Sequence, residues 1–158
     1  MTNSIAAKQI EVNGIVQGVG FRPYIYQLAG RHELRGHVAN TASGVHIHIE
    51  GPRKAIAAFL LSIPAEAPTL AQITDVKAAD TQPEGFQDFT IISSREASAK
   101  SALISPDVAI CDDCLREMLS PQDRRFRYPF INCTNCGPRY TIIDDIPYDR
   151  PQTSMKHF

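Results

Sequence analysis

The spacing of apolar residues predicts alternating strands and helices along the first 93 residues of the chain. Apolar-rich runs, several of them strictly alternating, predict strands over 7–16, 35–41, 44–50, 71–79 and 88–93. Apolar residues at intervals of three and four predict helices over 21–33 and 52–63. The order is βαββαβ, with room for a short extra strand. It predicts an α+β, ferredoxin-like sandwich: one antiparallel sheet with both helices on one face.

The same periodicity predicts which side chains face the core. In the helices these are Phe21, Ile25, Leu28, Ala29, Ile56, Phe59, Leu60 and Ile63. In strand 44–50 the alternation directs Val45, Ile47 and Ile49 inward, and it directs His46, His48 and Glu50 outward. The two outward histidines have no third ligand nearby in sequence, so they are interpreted as exposed sheet residues rather than as a metal site.

The first strand runs into a loop with two glycines, and that loop opens directly into a helix. Glycines allow successive backbone N–H groups to turn toward one point, and the helix N-terminus adds partial positive charge there. The guanidinium of Arg22 matches the geometry of phosphate oxygens. The loop therefore predicts a phosphate site formed by Gln17, Gly18, Val19, Gly20, Phe21 and Arg22.

Asn40, at the end of strand 35–41, is a second candidate site residue. Beside Ser43-Gly44 it can simply be a turn asparagine whose side chain bonds the local backbone. If its strand lies beside the strand that ends in the glycine loop, however, its amide could hold a water molecule near a bound phosphate.

These two segments together resemble the acylphosphatase signature. The resemblance covers roughly residues 8–93, through the segment Val16 to Arg22 and the pattern Gly36-x-Val38-x-Asn40-x-x-Ser43-Gly44-Val45. It implies that Arg22 binds phosphate, that Asn40 positions the attacking water, and that acyl phosphate hydrolysis needs no metal or other cofactor. Ser43 stands where the family often has aspartate, a difference that concerns turn geometry.

Composition restricts the function classes. The chain has 158 residues, 43% of them apolar and 21% charged, with a formal net charge of −1. These values are typical of a globular protein, and the charge argues against nucleic acid or anionic lipid as a partner. Neither an apolar run long enough to span a membrane nor a secretory leader is evident, so we expect a cytoplasmic protein.

All four cysteines lie in the last third of the chain, as two Cys-x-x-Cys pairs: Cys111, Cys114, Cys133 and Cys136. Eighteen residues lie between the pairs, a spacing that predicts one tetrahedral, structural zinc site. Two disulfides are the alternative, which the absence of a secretory leader disfavours. A short helix is predicted over Leu115–Leu119. The nearby basic residues are interpreted as a solvated face: Arg124, Arg125, Arg127 and Arg139.

These features predict a domain over 1–93, a linker over 94–107 that begins with the polar segment Ser94–Lys100, and a zinc-finger module over 108–158. The segments 127–141 and 146–151 are similar to the start of the hydrogenase-maturation carbamoyltransferases, the HypF family. Relative to that family the module is incomplete, so the chain is interpreted as an N-terminal fragment.

The second resemblance implies that carbamoyl phosphate is hydrolysed at the acylphosphatase site. In the family, ATP then adenylates the carbamate, and the carbamoyl group passes to a cysteine of the partner HypE; neither later step would belong to this chain. The alternative is a non-catalytic module, in which the loop only binds a phosphorylated ligand and the finger docks a partner. Preference among acyl phosphates is left open, as is folding of the truncated zinc module by itself.

Overall fold

The computed structural model describes residues 5–94 and 101–157. Most of the predicted segment Ser94–Lys100 therefore lies outside the described residues. The elements are β1 (Ile5–Ile15), α1 (Phe21–Arg31), β2 (Arg35–Asn40), β3 (Gly44–Pro52), α2 (Arg53–Ala65), β4 (Gln72–Thr81), β5 (Phe89–Ile91) and α3 (Asp112–Leu119). Within the described part of the chain, no helix is both long enough and apolar enough to cross a membrane.

The strands form one sheet in the order β4-β1-β3-β2-β5. The first four are antiparallel, as predicted, with Val12 opposite Val45 and Val38 opposite Ile47. The prediction of a purely antiparallel sheet was wrong in one respect, because β5 is the extra strand and pairs in parallel with β2. The chain crosses from the β4 edge to the opposite edge before forming β5, so β5 lies beside β2 and not beside β4.

The core lies between the sheet and the two helices. The predicted inward residues of both helices are buried there, except Leu60, which is half-buried against the same cluster. Val45, Ile47 and Ile49 are fully buried beneath them. Aromatic side chains fill the largest volumes, with Phe21 from α1 and Phe59 from α2 both inaccessible to solvent.

The second face of the sheet is not the exposed surface that the alternation predicted. His46, His48 and Glu50 point away from the helices, but they are only 6%, 1% and 3% exposed. The connection between β4 and β5 crosses this face to reach the other edge of the sheet. Its Phe86 ring lies 5.2 Å from the His48 ring, and backbone N–H groups of the connection donate to the Glu50 carboxylate.

The C-terminal module has little regular structure. Its longest element is α3, which includes the predicted helix Leu115–Leu119 and begins three residues earlier. Asp112 and Asp113 occupy the first turn of α3, where negative charge is favourable. The module has its own small core around Cys114, Ile131 and Cys136.

Candidate phosphate site and cysteine cluster

The glycine loop between β1 and α1 uses the backbone freedom of both its glycines. Gly18 and Gly20 have φ angles of 73° and 79°, in the left-handed region that favours glycine. Gly20 caps α1, and its carbonyl accepts the first hydrogen bond of the helix from the Tyr24 N–H at 3.1 Å. The loop therefore leads into a helix N-terminus, the arrangement that favours an anion.

Gln17 holds the loop against the turn between β2 and β3. Its Nε2 donates to the carbonyl oxygens of Thr41 and Gly44, each at 2.8 Å. Its Oε1 accepts from the backbone N–H of Tyr148 at 2.7 Å. The side chain is 3% exposed, so these bonds leave a buried amide fully engaged.

Arg22 is half-buried in the first turn of α1. Its Nη2 donates to Asp149 Oδ1 at 2.7 Å, and Ser94 Oγ donates to the other carboxylate oxygen of Asp149. A guanidinium has five N–H donors, so one bond to Asp149 leaves donors for a phosphate.

Asn40 ends β2 and is 1% exposed. The idea that its strand lies beside β1 was wrong, because β3 lies between them. Asn40 nevertheless shares a partner with the glycine loop: its Nδ2 donates to the Tyr148 carbonyl at 3.1 Å, and Tyr148 also bonds Gln17. Its Oδ1 is buried and has no hydrogen-bond partner among the described residues.

A cavity of about 940 Å³ opens beside Arg22, between the sheet domain and the C-terminal module. Asp149 is the acidic residue of its lining, and the basic lining residues are all arginines. These are Arg22, Arg124, Arg125, Arg127 and Arg150. Such a lining attracts anions even though the whole chain is nearly neutral. A larger cavity of about 1540 Å³ lies around β5 and contains none of the predicted site residues.

The four cysteines converge at one point. Their Sγ atoms all lie within 4.8 Å of one another, with 3.5 Å between Cys111 and Cys133 and 3.8 Å between Cys114 and Cys136. These separations are far longer than a disulfide bond. A tetrahedral zinc ion with Zn–S bonds of about 2.3 Å needs sulfurs about 3.8 Å apart, so the cluster fits zinc.

Two of these thiols differ in acidity. Burial, together with hydrogen bonds to the other cysteines, raises the pKa of Cys114 to about 12. Burial also acts to raise the pKa of Cys136, but hydrogen bonds from the backbone of Cys111 and Cys133 outweigh it and lower that pKa to about 7. A bound cation would favour the thiolate form of all four.

The interpretation of the nearby arginines as a solvated face was wrong for Arg139. This side chain is 9% exposed and donates to the Ile131 carbonyl at 3.1 Å, the Val108 carbonyl at 2.6 Å and Cys136 Sγ at 3.1 Å. Arg125 is half-buried and donates to Glu117 and to the Asn132 carbonyl, whereas Arg124 and Arg127 are exposed as expected.

Sequence reasoning missed Tyr148 and Asp149, which supply hydrogen-bond partners to Gln17, Arg22 and Asn40. They lie 108 or more positions from their partners, so no local pattern connects them. The one available signal was that residues 146–151 belong to a segment similar to a known family.

Comparison with protein families identifies both parts of the chain. Residues 8–91 match the acylphosphatase family model, and residues 110–143 match the HypF finger model. The acylphosphatase of Thermotoga petrophila is 44% identical over 86 residues, which are 54% of this chain and 94% of that protein.

Longer relatives match nearly the whole chain. The probable carbamoyltransferase HypF of Methanocaldococcus jannaschii is 49% identical over 144 residues, covering 90% of this chain and 19% of that protein. A crystal structure of full-length HypF in a phosphate- and nucleotide-bound form matches 100% of this chain and 21% of that chain, with 48% identity and a TM-score of 0.88. The chain thus spans about a fifth of the length of these relatives.

Proposed function

Since this chain belongs to the acylphosphatase family and carries a HypF finger, we propose that it hydrolyses acyl phosphates, and carbamoyl phosphate in particular. The observation that carries the proposal is the buried Asn40 amide. One end of it is bonded to Tyr148, and the other end presents an oxygen that needs a donor. A water O–H would supply such a donor, and Tyr148, the partner of Asn40, is also bonded to Gln17 of the glycine loop.

The phosphoryl group would be bound by the main chain and one cation. Backbone N–H groups from Gln17 to Arg22, at the N-terminus of α1, hold its oxygens, and the guanidinium of Arg22 neutralises the charge that develops on them. Because Gln17 ties the loop to the turn between β2 and β3, these donors need little rearrangement when the substrate binds.

The attacking water would be oriented by Asn40. Oδ1 accepts one of its hydrogens and directs the oxygen at phosphorus, in line with the bond to the acyl oxygen. As the new P–O bond forms, the bond to the leaving group breaks. The leaving carboxylate or carbamate is the base of an acid with a pKa of roughly 4, so it departs without a strong general acid. The proton of the water passes to solvent.

The cysteine cluster would hold a structural zinc ion through Cys111, Cys114, Cys133 and Cys136. A module with so small a core gains most of its folding free energy from its metal. Atomic emission of the purified chain is expected to give one zinc per chain. A ratio near zero would contradict a site complete within these residues.

In a full-length HypF-type protein this hydrolysis would be the first step of carbamoyl transfer. The carbamate would then be adenylated with ATP elsewhere in the protein, and its carbamoyl group would pass to a HypE-like partner during maturation of nickel–iron hydrogenases. We place such a protein in the cytoplasm, where carbamoyl phosphate and ATP are available.

Phosphate release from carbamoyl phosphate and acetyl phosphate tests the proposal. Arg22→Ala and Asn40→Ala should each lower kcat about a thousandfold, the scale of losing one preorganised group worth about 3–4 kcal/mol. Arg31→Ala is the matched control, because Arg31 ends the same helix and pairs with Glu66 on the surface. If the wild-type chain binds inorganic phosphate but releases none from either substrate, it is a binding module rather than a hydrolase.

A further inference from the structure

The C-terminal module reaches into the predicted phosphate site through two consecutive residues. The backbone N–H of Tyr148 donates to Gln17, the carbonyl of Tyr148 accepts from Asn40, and the carboxylate of Asp149 accepts from Arg22. The three partners come from the glycine loop, the end of β2 and the start of α1. One short segment therefore joins the separate parts of the site.

The contact between Arg22 and Asp149 is an ion pair, and a hydrogen bond from Ser94 holds the carboxylate in place. Both side chains are about three-quarters buried, with 22% and 27% of their surface exposed. Asp149 Oδ1 binds Nη2 of Arg22, while Oδ2 accepts from the Ser94 hydroxyl. With its second oxygen held by Ser94, the carboxylate fixes one corner of the guanidinium and leaves the other donors available.

The backbone of Tyr148 sets the direction of the Asn40 amide. An asparagine side chain can place either its oxygen or its nitrogen toward a neighbour. The Tyr148 carbonyl accepts hydrogen bonds only, so it selects Nδ2 and turns Oδ1 the other way. The buried oxygen assigned to the attacking water is thus left without a partner among the described residues because residue 148 holds the amide nitrogen.

The module also packs closely against the glycine loop. A Cβ added to Gly18 would lie 3.0 Å from ring atoms of Pro138 and of Tyr148, and one added to Gly20 would lie 3.0 Å from Thr134. Thr134 is inside the second Cys-x-x-Cys pair, and Pro138 is two residues beyond it. The position of the cysteine cluster is therefore tied to the loop that would bind phosphate.

We propose that Asp149 is the positioning residue for Arg22, so that the acylphosphatase site of this chain is complete only when the finger module is docked. This rests on the proposed hydrolysis of acyl phosphates. Asp149 acts through Arg22, by holding the guanidinium in the orientation that meets a bound phosphoryl group. A carboxylate in this place could instead compete with phosphate for Arg22, and the two roles predict opposite effects when it is removed.

The test is Asp149→Asn in the full chain, with Asp144→Asn as the matched control. Asp144 lies in the same segment but on the surface, with Lys156 4.0 Å away as its ion-pair partner. For Asp149→Asn we expect kcat on carbamoyl phosphate to fall by about ten- to a hundredfold, the usual effect of losing a group that orients a functional one. We also expect the dissociation constant of inorganic phosphate, measured by calorimetry, to rise.

Opposite results would overturn the proposal. Tighter phosphate binding or faster turnover by Asp149→Asn would make the carboxylate a competitor, and unchanged values would leave it no role. If circular dichroism shows that Asp149→Asn does not fold, Ser94→Ala replaces it. We then expect smaller changes in the same directions, a lower kcat and a higher dissociation constant of phosphate. If the wild-type chain does not turn over, the hydrolase proposal fails by itself, and phosphate binding still decides the role of Asp149.

Discussion

Within the described residues, the nitrogen of the buried Asn40 amide has a hydrogen-bond partner and its oxygen has none. Leaving a buried acceptor without a donor costs about 1–3 kcal/mol, so such atoms are rare in well-packed proteins. Here the unsatisfied Oδ1 belongs to the residue that family resemblance assigns to the attacking water. The cost is understandable if a substrate water provides the missing donor.

Asn40→Asp tests this assignment with almost no change in shape. The new carboxylate would place an acceptor against the Tyr148 carbonyl, and its charge would repel a phosphoryl group. We expect kcat on acetyl phosphate to fall about a thousandfold while the circular dichroism spectrum is retained. Asn132→Asp is the control, since Asn132 Nδ2 also donates to a backbone carbonyl, that of Phe130. Equal activity of the two variants would contradict the role of Asn40.

Individual residues differ in how visible their roles are in the sequence. Arg22 and Asn40 stand in short motifs, so their candidacy needs only local spacing. Asp149 and Arg139 belong to no such recognisable motif, because each acquires its role from a contact made by tertiary folding. Arg139 resembles its surface neighbours in sequence, yet only the fold places its guanidinium against Cys136 and two carbonyls.

At the scale of elements, α1 offers two glycines with opposite requirements. Gly20 has a φ of 79°, and a Cβ added to it would lie 3.0 Å from Thr134. Gly30 has helical geometry, and a Cβ added to it would have no heavy atom of the described residues within 4 Å, apart from its chain neighbours and the backbone of its own helix. We expect Gly30→Ala to stabilise the chain by about 1 kcal/mol and Gly20→Ala to destabilise it by at least as much. Thermal unfolding monitored by circular dichroism measures both, and a stabilising Gly20→Ala would contradict the loop geometry.

Strand β3 carries a carboxylate whose ionisation is linked to stability. Burial acts to raise the pKa of Glu50, but hydrogen bonds from the Glu84 and Gly85 N–H groups and from His48 lower it below the usual 4.5. The folded state therefore favours the charged form. This stabilisation is present above about pH 4.5 and is lost as pH falls through the lower, folded-state pKa.

Glu50→Gln should remove that linkage. We expect the variant to be less stable than the wild type at pH 7, by about 1–2 kcal/mol, and the difference to narrow below pH 4. Urea unfolding at several pH values measures it, with Glu33→Gln in an exposed loop as the control. A difference independent of pH would show that the carboxylate charge does not contribute.

The elements themselves were predictable because local periodicity determines them, and their bounds shifted by only a few residues. The order of the strands in the sheet was less predictable. Alternation could not reveal that β3 separates β1 from β2, or that the connection to β5 covers His48 and Glu50. Both depend on the path of the chain between sheet edges, which the pattern within a strand does not encode.

At the scale of the molecule, two modules with separate cores both contribute residues to the proposed phosphate site. The sheet domain has a large apolar core without metal ligands, and the C-terminal module has a small one built around its cysteines. The contacts of Tyr148 and Asp149 join them at the glycine loop. Folding of the C-terminal module should therefore affect chemistry in the sheet domain.

Removal of the proposed zinc ion tests this coupling in the whole chain. Chelation should unfold the C-terminal module, withdraw Asp149 from Arg22, and lower kcat on acyl phosphates by about ten- to a hundredfold. The sheet domain should keep its own cooperative unfolding transition, because its core contains no metal ligand. Zinc added back should restore activity.

In Asp149→Asn the same chelation should lower kcat only slightly further, because two changes that act through one contact are not additive. Full activity in a chain that atomic emission finds free of metal would separate the two modules and contradict a shared site.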